Sequence, residues 1–206
     1  MTSPSSASGD ATVATIVLAA GGSSRMVGGH KLLETLAGRP VIAWAVDAAL
    51  DAEVGPVVVV TGDRSLEVSE ALPGEVTVLE NDGWRSGMAA SLRVGVASLP
   101  EDVDAFAVAL GDMPLVRAVH YRSLARAWIP RSVVVPVHRG RRGHPVVWSR
   151  SFAREMADLD GDRGARTLVE RHKGAVIEVP IGDPGVLMDV DTRAHLADVR
   201  SLLEER

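Results

Sequence analysis

Apolar positions in this chain come in short unbroken runs, many rich in valine, that end in glycine, proline or charge. Val13–Ala19 is the first, a continuous run that feeds a glycine-rich segment, which is how a strand buried on both faces reads before a loop. That loop is Ala20–His30. Pro40–Leu50 follows, too long for an ordinary strand and with proline at a tolerated first helical position, so it predicts a helix packed on a sheet. The alternation continues with strands at Pro56–Thr61, Val76–Leu79 and Ala105–Leu110, and helices at Ser65–Leu72 and Met88–Ala97 between them. Repeated strand–helix units imply a parallel sheet with right-handed crossovers.

Beyond Leu110 the rhythm changes. Val116–Trp128 predicts a helix and Ser132–Val137 a strand, but the basic loop Arg139–His144 and the short extended piece Pro145–Trp148 break the order, which marks an antiparallel edge or insertion. Helices are expected at Arg150–Leu159, Ala165–Arg171 and Ala194–Glu204, and strands at Val176–Val179 and Val186–Val190. The pattern predicts a single α/β domain over residues 12–206, a Rossmann-like three-layer α/β/α sandwich with a mostly parallel sheet. Residues 1–11 read as a disordered tail.

Composition narrows the choices. A chain of 206 residues is expected to hold one core, and with 46% apolar but only 3% aromatic residues that core must be built from Val, Leu, Ala and Ile. A net charge of −5, with no long Lys/Arg run, excludes a nucleic-acid partner. The absence of cysteine removes disulfides, thiolate catalysis and Cys-ligated metal, so any metal must be held by oxygen or imidazole. The opening MTSPSSASGD lacks the basic start and apolar stretch of a secretory signal, and no run reaches the roughly 18 apolar residues of a membrane span, so a cytoplasmic location is expected.

Chemistry-bearing residues gather at the ends of the predicted strands. Leu18-Ala19-Ala20-Gly21-Gly22-Ser23-Ser24-Arg25-Met26-Val27-Gly28-Gly29-His30-Lys31 puts glycines, hydroxyls, an arginine and a lysine where open α/β sheets bind ligands and where free backbone N–H groups can surround phosphate. It is neither a Walker A loop, since Lys31 lies between His30 and Leu32, nor a dinucleotide G-x-G-x-x-G loop. Gly111-Asp112-Met113-Pro114 puts a carboxylate at a strand tip, where an aspartate serves either as a cap or as a metal ligand. In Met188-Asp189-Val190-Asp191-Thr192 an extended backbone would turn Asp189 and Asp191 to one side, and Asp191 or Thr192 would otherwise cap the last helix. Asn81 to Leu92 combines turn residues with a helix start whose N–H groups suit an anion, although Trp84 and Met88 read equally well as core. Arg139–Pro145 is a local cationic loop in an acidic chain, which on charge alone reads as a solvated face.

These strings, in this order, resemble the motifs of the molybdenum cofactor cytidylyl- and guanylyltransferases. The loop is similar to the family's L-A-A-G-x-S-x-R-M-G-x-x-K, with Val27 in place of a glycine and a slightly longer gap before Lys31. L-G-D-M-P resembles its Mg²⁺ motif, D-V-D-T its closing D-I-D-T, N-x-x-W-x-x-G-M-x-x-S-L its cleft segment, and R-G-H-P with G-D-R-G-A-R its pterin-side motifs. The resemblance implies a nucleotide-diphospho-sugar transferase type of fold and a Mg²⁺-dependent transfer of CMP from CTP to the phosphate of a molybdopterin-type acceptor. It assigns Lys31, Arg25 and Asp112 to catalysis, and Leu18, Ala19, Ala20, Gly21, Gly22, Ser23, Asn81, Gly87 and Ser91 with Arg25 and Lys31 to the nucleotide. It gives Arg142, His144, Gly164 and Arg166 to the acceptor, and Asp112 with Asp191 or Asp189 to the metal. Ala20, where guanylyl members carry glycine, favours CTP over GTP. A different phosphorylated acceptor, such as methylerythritol phosphate, and a non-catalytic cofactor carrier are the alternatives, and a transient contact with a molybdoenzyme or its chaperone is implied.

Overall fold

A computed structural model describes residues 11–22, 29–74, 76–161 and 165–204. In chain order its elements are β1 (Val13–Ala19), β2 (Thr35–Leu36), β3 (Arg39–Pro40), α1 (Val41–Leu50), β4 (Val57–Thr61), α2 (Ser65–Glu70), β5 (Thr77–Glu80) and α3 (Met88–Ala97). There follow β6 (Ala105–Leu110), α4 (Ala118–Ala127), β7 (Val133–His138), β8 (Arg141–Arg142), β9 (Val146–Ser149), α5 (Ala153–Ala157), α6 (Arg166–Arg171), β10 (Val176–Pro180) and α7 (Arg193–Glu204). None of the described helices is long and apolar enough to cross a membrane.

The main sheet runs β10-β7-β9-β6-β1-β4-β5, with β8 added to β7. Its pairs β1–β4, β1–β6, β4–β5 and β7–β10 are parallel, whereas β9 is antiparallel to both β6 and β7. The expected break in the order is therefore an insertion inside the sheet, not an edge. Because β9 reverses direction between two strands, β7 again runs parallel to β6, and the carboxyl ends of β1, β4, β6 and β7 share one edge of the sheet.

Burial on both faces explains why the strands read as unbroken apolar runs. In β1, Val13, Val17 and Ala19 join the core under α1 and α4, while Ala14 and Ile16 join the core on the α3 side. In β6 the same period sends Ala105, Ala107 and Ala109 to the first layer and Phe106 and Val108 to the second. Small residues opposite α1 let that helix pack close, and Phe106, Trp148 and Phe152 fill the other side. A third cluster, around Leu36, Leu115, Val190 and Val199, seats α7.

Several sequence expectations shift. Val186–Val190 is not a strand. Pro184 has no N–H for a sheet ladder, Asp183 accepts the Gly185 N–H, and Pro184–Leu187 coils into a short 3₁₀ turn. The hairpin of β2 and β3 was not anticipated; Ala37 and Gly38 at its tip both have positive φ, the geometry a two-residue hairpin turn needs. Pro40 closes that hairpin, so α1 begins at Val41. The helix expected over Arg150–Leu159 is a 3₁₀ turn, Arg150–Phe152, followed by the shorter α5, beyond which Arg93 hydrogen-bonds the Leu159 carbonyl.

Candidate active site

The loop after β1, the tip of β6 and the segment before α7 meet at the carboxyl edge of the sheet. Leu18 of β1 is in register with Leu110 of β6, and the Gly111 N–H donates to the Leu18 carbonyl at 2.9 Å, which holds Asp112 beside the glycine loop. A Cβ at Gly111 would stand 2.5 Å from the tip of the Ile42 side chain of α1 and 3.2 Å from the Leu18 carbonyl oxygen, so a larger residue here would have to displace that side chain. Lys31 begins a short 3₁₀ turn, Lys31–Leu33, whose Leu32 is buried, so its side chain is anchored at the base.

Lys31 Nζ donates to Asp112 Oδ2 at 2.5 Å and to Asp191 Oδ1 at 2.7 Å. Residues 81 and 160 positions apart in sequence are thus joined by one ammonium. Asp112, Asp189 and Asp191 each bring a carboxylate oxygen, all within 4.8 Å of one another. Burial pushes the Asp112 carboxyl above its ordinary range, against the pull of Lys31. Burial also works to lower the Lys31 ammonium, but the carboxylates outweigh it and hold it above its usual value.

The donor set suits a hard divalent cation. Three carboxylates face a single ammonium among the described contacts, and Lys31 already bonds two of them as a cation would. The segment 188–191 brings Asp189 and Asp191 together without being a sheet strand; the Val190 N–H between them donates to the Asp112 carbonyl at 2.8 Å.

A cavity of about 500 Å³ opens over this cluster. Leu18, Ala19, Ala20, Gly21 and Gly22 form one wall, Gly87 and Ser91 of the α3 start another, and Lys31, Asp112, Asp189 and Asp191 its floor. Asn81 does not line it. It is buried behind Ser91, donating from Nδ2 to Ser91 Oγ at 2.9 Å and accepting the Gly83 N–H. The Ala89 N–H of the α3 start donates to the Gly161 carbonyl, so that donor is taken by the protein rather than offered to an anion.

Trp84 and Arg85 also line the cavity, and neither was among the residues the sequence assigned to it. The Arg85 guanidinium lies 4.3 Å from the Trp84 ring centre. Trp84 stands inside the N-x-x-W-x-x-G-M string, the signal that pointed to it, but residue type alone favoured core equally.

The acceptor assignments scatter. Arg142 is exposed and bonds Glu178 at 2.8 Å, and Arg166 is exposed and lies 3.5 Å from Glu170; neither lines the cavity. Each arginine spends its charge on a neighbouring glutamate, which a count of local cations does not reveal. His144 is drawn inward instead: burial lowers its pKa, it hydrogen-bonds the Val108 backbone, and the field of Asp112 and Asp189 reaches it. Ser23, Arg25 and Gly164 lie outside the described residues, as do residues 1–10 of the expected tail.

The MobA-like NTP transferase domain family matches residues 15–176. A nucleotidyl transferase from Methanothermobacter thermautotroptrophicus is 29% identical, with a TM-score of 0.84 over 95% of this chain and 99% of that one. The Rv0371c protein of Mycobacterium tuberculosis, solved in complex with manganese, is 26% identical, with a TM-score of 0.80 over 94% of this chain and all (100%) of that one. The nicotine blue oxidoreductase of Paenarthrobacter nicotinovorans is 28% identical over 86% of this chain and 91% of its own. Against three longer relatives, bifunctional GlmU proteins, the chain spans 31%, 29% and 24% of their lengths.

Proposed function

This chain belongs to the MobA-like NTP transferase domain family, and on that premise we propose that it transfers CMP from CTP to the terminal phosphate of a molybdopterin-type acceptor, releasing pyrophosphate. The observation that carries the reading is the convergence of Lys31, Asp112, Asp189 and Asp191 on the floor of one cavity beside the glycine loop.

In this reaction an acceptor phosphate oxygen bonds to the α-phosphorus in line as the bond to the β-phosphate bridging oxygen breaks. The nucleophile is already ionised near neutral pH, so no side chain has to take a proton. Asp112, with Asp189 and Asp191, would hold Mg²⁺, which when bound supplies positive charge to the phosphate oxygens. The manganese complex of the Rv0371c protein supports a divalent ion in this family. Lys31 would then give up the carboxylates and neutralise the triphosphate, a role the resemblance also gives to Arg25. Leu18 to Gly22 frame the base and sugar. Ala20, buried on the cavity wall, leaves less room for a purine than glycine would, which favours CTP. Arg85 is the arginine on that wall among the described residues and meets the incoming phosphate.

Mixing protein, Mg²⁺, CTP and molybdopterin should release pyrophosphate. Release with GTP in its place would move the choice of base, and binding without release would favour a cofactor carrier. A second reading, a redox role, draws on the nearly full-length similarity to nicotine blue oxidoreductase. The absence of a dinucleotide loop weighs against it, and reduction of nicotine blue without pyrophosphate release would favour it.

A further inference from the structure

Two loops deliver the three carboxylates, and they are tied together at both ends. At the near end the Val190 N–H donates to the Asp112 carbonyl at 2.8 Å. At the far end stands Asp183, whose side chain is only 12% exposed, opening the segment that leads to Asp189 and Asp191. Its Oδ1 accepts the Gly185 N–H at 2.8 Å, and its Oδ2 receives Arg117 Nη2 at 2.8 Å and lies 3.6 Å from His120 Nε2. Arg117 and His120 stand at the start of α4, where the loop from Asp112 ends.

The geometry at His120 is directional. Its Nδ1 accepts the Arg117 N–H at 3.1 Å, which places the ring proton of the neutral imidazole on Nε2, facing Asp183. Between the two ties the loops touch closely: a Cβ at Gly185 would stand 2.5 Å from the Leu115 carbonyl oxygen, so the strands of chain cannot be spaced by even a methyl group. A third contact, from the His144 N–H to the Val186 carbonyl at 2.9 Å, holds the outer side of the segment.

We infer that Asp183, held by Arg117 and faced by His120, is a positioning residue that sets the separation of Asp112 from Asp189 and Asp191 and so the affinity of this site for a divalent cation. The inference rests on the metal-dependent reading above. Asp183 touches neither cation nor substrate; it acts through the backbone of residues 184–191. Groups that hydrogen-bond metal ligands directly change affinity on the order of 10- to 100-fold, and Asp183 stands one step further out, so an effect at the lower end of that range follows.

The test is a titration of the full chain with Mn²⁺ alone, followed by the electron paramagnetic resonance of free ion, at a temperature where circular dichroism shows every variant folded. Asp183→Ala should raise the dissociation constant about tenfold. Asp183→Asn keeps an oxygen for the Gly185 N–H and should recover part of the loss. Arg117→Met, at a half-exposed side chain that folding tolerates, should show a smaller rise and carries the test if Asp183→Ala does not fold. A role confined to stability would lower the melting temperature and leave the Mn²⁺ constant unchanged in all three, and that result overturns the inference. Failure of the wild-type chain to take up Mn²⁺ overturns the metal-dependent reading itself, and the inference with it.

Discussion

Replacing Lys31 with methionine keeps most of the length of the side chain and removes its charge. In the structure that charge makes two short bonds, to Asp112 and Asp191, between side chains that are 17%, 14% and 21% exposed. Breaking a fully buried ion pair costs about 3–5 kcal/mol, and an exposed one about 0–1. This pair lies between those limits, so a loss of about 2 kcal/mol follows, because three crowded carboxylates lose the cation that bonds two of them. For a chain of this size that lowers the melting temperature by about 4–8 °C in metal-free buffer. A divalent ion at 100 times its dissociation constant returns about 2.7 kcal/mol. Mg²⁺ should therefore restore most of the stability of Lys31→Met, and shift its melting point at least as far as that of the wild type, since no ammonium has to be displaced. Turnover should not recover: the charge lost at the triphosphate is worth on the order of 10²- to 10³-fold. Differential scanning calorimetry with and without Mg²⁺, beside a pyrophosphate-release assay, reads both effects. Lys31→Met that melts like wild type without metal, or that releases pyrophosphate at the wild-type rate, refutes this account of Lys31.

Three further outcomes follow from other places in the fold. Trp84→Ala removes an indole that walls the cavity and packs against Gly22, and should raise the KM for the nucleotide about tenfold, as loss of aromatic stacking on a base does; an unchanged KM places Trp84 outside nucleotide binding. Thr15 is buried in β1, and its Oγ1 has no hydrogen-bond partner among the described residues, so Thr15→Val should stabilise the chain by about 1 kcal/mol and raise the melting temperature by about 2–4 °C. The hydrogen bond from His172 holds the Glu155 carboxyl below its ordinary value. The stability this gives is fully present above the carboxyl's unfolded pKa and is lost as pH falls through the lower folded one, so Glu155→Gln should flatten the acid limb of a stability–pH curve; an unaltered limb contradicts it.

The layered fold was legible because a strand buried on both faces cannot carry polar residues, and β1, β4 and β6 carry almost none. The candidate site was legible in its motifs: Lys31, Asp112 and the Asp189/Asp191 pair lie far apart in sequence yet meet at the carboxyl edge of the sheet. What escaped is what neighbours decide. Val186–Val190 looks like a strand by residue type, but Pro184 and the Asp183 cap turn it into a coil that still aligns its two aspartates. Arg142 and Arg166 read as anion ligands by residue type, and in the structure they stand beside Glu178 and Glu170 and away from the cavity. Asn81 supports Ser91 instead of lining the cavity, and Trp84, which reads equally well as core, lines it together with Arg85. In each case the residue type allows both roles, and the tertiary partner chooses.

The central claim is that Asp112, Asp189 and Asp191 form a divalent-cation site whose occupation frees Lys31. Anomalous diffraction from crystals soaked in Mn²⁺ tests it most directly. The account predicts a peak between the three carboxylates, with Lys31 Nζ withdrawn from Asp112 and Asp191. Crystals that show no peak there at saturating Mn²⁺, with the ammonium still bonded to both aspartates, would contradict it.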